Sequence, residues 1–400
     1  MKRSRWVRVL LCGALVVVFV LQCWLMVRYA PRFISGYDFY PRWAGARALW
    51  VEGRNPYSDE VTRQIQLGFL GHLVEPGRDQ IRFAYPLTIA LLMAPLALLP
   101  YELALAVWTT GLFYLCLVSA WLAMRLVRWQ PPLWLGLVTV VWSALFYPNL
   151  RSILVGQPGL LVLLTLLLAL LALREGWDVG AGFCLALSTV KPQMALLPLL
   201  WLLWWGGWQR RRRFLFAFGG TLAGLLVVSC VALPTWPVDF VRQVLDYPSY
   251  MHPASVVDWV ARAAWPGLGR AGELLPTLGL IGWLGWLWWQ ARRAATDSPI
   301  WLWTTGVTLT VANLMLPITA ATFYTTLLMP LIYLFYRMEG WEVRWSGTAV
   351  LGCQVALLVG LSAVFVATIG GALPYEADLI PLPVLLLGAL LPLRPGPTFQ

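Results

Sequence analysis

Apolar runs of bilayer-spanning length, or slightly less, recur along the chain at about 9–27, 86–124, 132–147, 158–173, 179–190, 193–208, 214–233, 274–289, 300–316, 321–336, 347–369 and 379–393. A helix rises about 1.5 Å per residue, so about 20 apolar residues cross the hydrocarbon of a bilayer. The pattern predicts an all-α integral membrane protein with about 12 transmembrane helices. One run resists this scheme, since 86–124 is too long for a single crossing and contains Pro95 and Pro100. Two full crossings there would invert every later loop. The expectation is a short interfacial helix from Pro86 to about Leu98, ended by proline, and then a span from about Glu102 to Met124.

Polar, irregular stretches separate the runs. The chain reads as one polytopic membrane domain, 1–400, with a first large loop at 28–85 carrying interfacial helices and a second at 234–273. Shorter polar turns are expected at YPNLRSILVGQPG (147–159), TVKPQ (189–193) and LPYEADL (373–379). Arginine sets the expected orientation, because short loops rich in Lys and Arg stay cytoplasmic. With the N-terminus inside, every second loop is basic: Arg125 and Arg128, Arg174, Arg210 to Arg213, Arg292 and Arg293, Arg337 and Arg344, and finally Arg394. Both termini are then cytoplasmic, and the two large loops are extracytoplasmic at a cell membrane. Lys2, Arg3, Arg5 and Arg8 precede the first run, no A-x-A-like cleavage site follows it, and its length suits a retained signal anchor. A lipoprotein signal at Cys23 fails because Gln22 stands where a small residue is needed.

Composition agrees with this frame: 60% of the 400 residues are hydrophobic and 12% charged, with a mean hydropathy of +0.71. That is too apolar for a soluble globular protein. The formal charge of +11 punctuates apolar segments and forms no soluble basic face, so lipid headgroups explain it better than nucleic acid does. The six cysteines lie in apolar stretches without CxxC spacing, which indicates neither a disulfide framework nor a zinc site. His72 and His252, the two histidines, have no neighbour at metal-ligand spacing, so no metal is expected. Without a GxxxxGK[ST] motif the short basic loops offer no seat for ATP, and no cofactor is expected.

The candidate chemistry lies in the polar stretches. Asp38, in ISGYDFYPRWAGARALW, has two readings that do not exclude each other. It is placed to cap a short helix with Pro41 near its start. Beside Tyr37, Phe39, Tyr40 and Trp43 it is also a partly desolvated carboxylate, suited to take a proton from a hydroxyl. Trp43, Arg47 and Trp50 share a helical face, which fits either an interfacial belt or a sugar-stacking surface. The belt reading covers most of the 25 tryptophans. Arg151 and Lys191 each end an apolar run, where they could snorkel to headgroups or bind a phosphate, Lys191 as a point charge and Arg151 as a fork. Gly156 and Gly159 would let backbone approach a ligand, and the Gln157 amide could bond to hydroxyls. His252, in YPSYMHPAS, is a minor candidate for an acid or donor.

In order along the chain, YDFYPRWAGARALWVEGRNPY, FAYPLTIALLMAPLALLP and LRSILVGQPGLLVLLTLLLALLALREGWDVGAGFCLALSTVKPQMALLPLL resemble the GT87 (DUF2029) family over residues 34 to about 205. These are polytopic GT-C glycosyltransferases that include polyprenyl-phosphate-mannose-dependent α-mannosyltransferases. The shared elements are the Asp of the first large loop, Gly53-x-Asn55-Pro56-Tyr57, Tyr85 to Leu87, and the Gln157 and Lys191-Pro192 pair. The resemblance implies a GT-C fold and a membrane hexosyltransferase, with mannose moving from a polyprenyl-phosphate sugar to a lipid-linked or glycan acceptor. It makes Asp38 the base toward the acceptor hydroxyl. It puts Lys191 and Arg151 near the departing phosphate, and Gln157, Trp43, Arg47, Tyr57, Tyr85 and His252 around the substrates. Inverting transfer of this kind needs no metal. Two departures touch recognition. The S-P-x-S-W-x-H-like stretch of many members is here LPITAATFYTTLLMPL, with Phe323 or Tyr324 in place of a His, and HPAS replaces an N-Q-S pattern.

A transporter or flippase for a lipid or glycan is the alternative. Transporters keep ionisable groups near the midplane and show inverted repeats, whereas here such groups gather at one boundary and no repeat is visible. A non-catalytic envelope scaffold also remains open, because a sequence does not display turnover.

Overall fold

The computed structural model describes residues 16–28, 35–75, 77–249, 255–265, 267, 269–316, 320–340, 346–374 and 379–396. Among them regular structure is helical throughout. Proline punctuates it: Pro100, Pro132 and Pro158 are the N-caps of α5 (Tyr101–Leu126), α6 (Leu133–Leu145) and α8 (Gly159–Arg174). Prolines stand in the first turn of α7 (Tyr147–Val155), α10 (Pro192–Trp208), α12 (Trp236–Asp246), α15 (Pro299–Met315) and α18 (Pro381–Leu390). There the missing N–H costs nothing and the fixed φ favours helix. The break expected in 86–124 falls between α4 (Thr88–Ala97) and α5.

Among the described residues three helices are long and apolar enough to cross a membrane: α5, α11 (Arg212–Ala232) and α17 (Ser346–Ile369). The pair α6 and α7, bent by 49°, makes a fourth if counted as one span. Shorter apolar helices among the described residues include α1 (Val16–Arg28), α8, and α9 (Asp178–Leu187) with its 3-10 extension Ser188–Val190. These apolar helices are the mark of a membrane protein, and among the described residues fewer of them reach full spanning length than the hydropathy runs suggested. Only 17% of the apolar window of α11 and of α17 is buried within the protein, so both leave most of their surface for lipid.

Two local expectations change. YPNLRSILVGQPG is not a turn throughout, because its first nine residues form α7, closed by Gly156 in the left-handed region at φ +77°. The run 321–336 begins as a seven-residue 3-10 segment, Ala321–Leu327, before α16 (Leu328–Glu339).

The centre is α15, in which every residue from Trp301 to Leu314 is buried, and Thr305, Thr308 and Thr310 satisfy their hydroxyls there by donating to carbonyls four residues back. Indole N–H groups tie its neighbours to it: Trp201 donates to Thr305 and Trp288 to Thr308, both at 3.0 Å. Trp201, Trp205, Trp301 and Trp303 are fully buried, so the belt reading does not hold for them. The rest of the bundle comprises α13 (Val256–Ala264) and α14 (Gly269–Ala291).

The basic turns meet at one end of the bundle. Arg174 donates to the carbonyls of Arg125 (3.0 Å) and Leu126 (2.6 Å), Arg211 pairs with Asp178 at 2.8 Å, and Arg128 pairs with Asp297 at 3.5 Å. At the other end α2 (Phe39–Trp50) and α3 (Asp59–Leu70) pack with α4 and the start of α5. The 16 residues of α8 separate the two ends by about 24 Å.

Candidate active site

Asp38 is the N-cap residue of α2, yet its carboxylate makes no cap hydrogen bond, because its backbone is already helical at φ −86°, ψ −20°. A side chain caps best from an extended backbone. What fixes the helix start is main chain: the Asp38 and Gly36 N–H groups donate to the Val155 and Leu154 carbonyls, at 3.0 and 3.3 Å, at the end of α7. Gly156 permits this docking, since a Cβ there would stand 2.5 Å from the Phe39 Cβ. The glycine thus admits Phe39 and not a ligand. The Asp38 carboxylate, half-buried, has no hydrogen-bond or ion-pair partner among the described residues.

One helical turn on, Arg42 leads into a cluster centred on Gln157. The Gln157 Oε1 accepts from Lys191 Nζ at 2.8 Å, from Arg42 Nη2 at 3.3 Å and from the Tyr85 hydroxyl at 3.4 Å. Arg42 also bonds the Tyr85 hydroxyl, and its Cζ lies 4.0 Å from the Tyr85 ring centroid. Lys191 is 0% exposed and rests its ammonium 3.7 Å from the Phe323 ring centroid. Arg42 is 2% exposed, and among the described residues its Nε and Nη1 have no hydrogen-bond partner. Two buried cations therefore share a neutral amide oxygen, and the Asp38 carboxylate acts on Lys191 through space, without an ion pair among the described residues.

Three elements deliver these groups. Gln157 follows the glycine cap of α7. Lys191 is the N-cap of α10, in the turn between the 3-10 extension of α9 and that helix. Phe323 rides on the 3-10 segment, which Ser152 of α7 holds by donating to the Thr322 carbonyl at 3.1 Å. Burial pushes the Lys191 ammonium well below its usual pKa, the Arg42 charge adds to that, and Asp38 opposes it. Burial also raises the Tyr85 phenol, against the pull of Arg42.

Tyr57 stands behind the cluster: buried and edge-on to Phe83 at 5.2 Å, it donates to the Tyr85 carbonyl at 2.6 Å. Trp43 and Arg47 do not join. The Trp43 indole donates to the carbonyls of Leu96 (3.1 Å) and Leu99 (3.3 Å), and Arg47 donates to that of Ala97 at 3.1 Å, which docks α2 on the end of α4. Arg151 is also elsewhere. With Ser152 turned to the 3-10 segment, Arg151 points toward α17, donating to the Tyr147 hydroxyl at 2.8 Å over the Phe365 ring. Its expected fork toward a shared phosphate is therefore not met. His252 lies outside the described residues. Among the described residues no three His, Cys, Asp or Glu side chains converge.

Sequence reasoning missed Arg42, although it lies four residues after Asp38 and so on the same helical face. The sequence pairs Lys191 with Arg151 instead, because each ends an apolar run. The cluster can hold an anion with Lys191 and Arg42, and it leaves a carboxylate free to accept a proton close by.

No curated protein and no solved structure matches the chain. The sequence profile of glycosyltransferase family 87 matches residues 83–317, a stretch that contains Tyr85, Gln157 and Lys191 and covers more than half of the chain. The protein belongs to glycosyltransferase family 87.

Proposed function

We propose that the protein transfers a hexose, mannose in the first instance, from a polyprenyl-phosphate sugar to a lipid-linked or glycan acceptor at the extracytoplasmic face of a cell membrane. The single observation that carries this reading is the uncommitted Asp38 carboxylate beside the buried Lys191. Asp38 takes the proton from the acceptor hydroxyl as that oxygen forms its bond to the anomeric carbon. The bond from that carbon to the phosphate oxygen breaks, its electron pair leaves on the phosphate, and Lys191 stabilises the charge without a metal ion. Attack opposite the leaving group inverts the anomeric centre.

The GT-C fold, multi-pass topology and orientation belong to the same proposal. The basic turns gather at one end, the expected cytoplasmic one, and Asp38 and Lys191 lie at the other. There both lipid-anchored reactants would present their headgroups.

The test is transfer of radiolabelled mannose from synthetic polyprenyl-phosphate-mannose to a membrane lipid extract, with purified wild type and Asp38→Asn compared. Label in a new lipid product with wild type alone is expected. Wild-type turnover by Asp38→Asn removes the base, and no label with either protein moves the donor to another lipid-phosphate hexose, tested as a panel.

A further inference from the structure

We infer that Arg42 is the second ligand of the donor's phosphate, opposite Lys191, and that these two cations make the site select a phosphate-linked lipid over an uncharged one. The inference rests on the donor class proposed above and adds a residue outside the family match, which starts at residue 83.

Three observations carry it. Arg42 is 2% exposed and leaves Nε and Nη1 without a partner among the described residues. A buried charged donor left unpaired is costly, so such groups are normally satisfied. Second, Arg42 and Lys191 both donate to the single oxygen of Gln157, at 3.3 and 2.8 Å. Their nitrogens are thus no further apart than those two bonds laid end to end, close enough for one phosphate to bridge through different oxygens. Third, among the described residues no carboxylate forms an ion pair with either, and Asp38, which acts on Lys191 through space, forms no ion pair there. An anion entering here would meet Arg42, Lys191, the Tyr85 hydroxyl and the Gln157 amide, with Phe323 beneath the ammonium. Burial and the Arg42 charge lower the Lys191 pKa, whereas a guanidinium stays charged throughout. Arg42 is then the constant cation, and Asp38 and Arg42, on successive turns of α2, hold acceptor and leaving group on one rigid element.

The test measures binding to the full-length protein in detergent of a short-chain isoprenyl phosphate and of the matching isoprenol. Wild type should prefer the phosphate. Arg42→Gln should weaken phosphate binding by at least about tenfold and leave the isoprenol unchanged, a selectivity that loss of packing would not produce. Arg42→Lys, which keeps the charge and loses the fork, should fall between them and serves if Arg42→Gln folds poorly. Retained wild-type preference in Arg42→Gln, or wild-type affinity in Arg42→Lys when Arg42→Gln does not fold, overturns the role of Arg42 alone. Equal binding of both lipids by wild type overturns it together with the lipid-phosphate donor.

Discussion

Asp38 and Arg42 lie on one face of α2, and Trp43 and Arg47 on another. Each face offers an arginine, yet their surroundings differ. Arg47 donates to the Ala97 carbonyl at the end of α4 and lies 3.9 Å from Glu52, so its charge meets a helix C-terminus and a carboxylate. Arg42 has a neutral amide and a phenol for partners, and two of its nitrogens have none among the described residues. The first face fastens the helix, and the second holds unmet hydrogen-bonding capacity where a ligand can meet it. A functional cation is recognised here by what it lacks.

The comparison breaks most directly at Asp38. Asp38→Asn removes the proton acceptor and almost no volume, and no cap bond or ion pair is lost with it. Transfer should fall by about 10²–10⁴-fold, while the melting temperature stays near the wild-type value. A large loss of stability would put Asp38 with the fastening face. Lys191→Met sharpens the same contrast. The apparent KM for the lipid-phosphate sugar should rise at least about tenfold, yet the ligand-free protein should melt at a higher temperature, because a buried ammonium without a paired carboxylate is removed.

Lys191 also gives a pH signature. Its pKa is depressed in the folded protein, whereas an unfolded lysine titrates near about 10.4. Between those two values the unfolded state binds more protons, so stability rises as pH rises. Wild type should show this slope in thermal melts across pH, and Lys191→Met should flatten it. Donor affinity should run the other way and weaken as pH rises past the depressed value.

Trp43→Ala addresses the fastening face. Trp43 is half-buried, so the cost should be about 2 kcal/mol, below the about 3–5 kcal/mol of a wholly buried Trp. It should appear in denaturant melts, with turnover per folded molecule changed less than threefold. A tenfold rise in acceptor KM at unchanged stability would restore Trp43 as a sugar platform.

Helix positions were legible in the sequence where proline marks them, as at Pro100 and Pro192, because a missing N–H acts locally. α7 was not legible: its polar residues read as a turn, but Asn149 donates to the Ser143 carbonyl at 2.7 Å and Ser152 to Thr322, partners that only the tertiary fold supplies. At the site, the grouping of Tyr85, Gln157 and Lys191 could be anticipated from the family-like order of motifs. The choice between Arg42, Arg47 and Arg151 could not, since it depends on which helix face meets which neighbour. Periodicity marks the residues that share a face and leaves open what that face touches.

The smallest expected effect is at Tyr57, which stands between the two kinds of face. Its hydroxyl donates to the Tyr85 carbonyl at 2.6 Å, and burial, with Asp239 nearby, drives its pKa upward, so it stays a neutral donor at every working pH. Tyr57→Phe leaves that carbonyl without this donor at a cost of about 1 kcal/mol. If Tyr57 only positions Tyr85, melting should shift down slightly and donor KM rise about two- to threefold, in step with a slackened Tyr85, while acceptor KM holds. A changed acceptor KM at unchanged stability would instead put the Tyr57 hydroxyl on the substrate. The pH profile separates the two further: a positioning hydroxyl that never ionises leaves the alkaline limb where Lys191 sets it, and Tyr57→Phe should not move that limb.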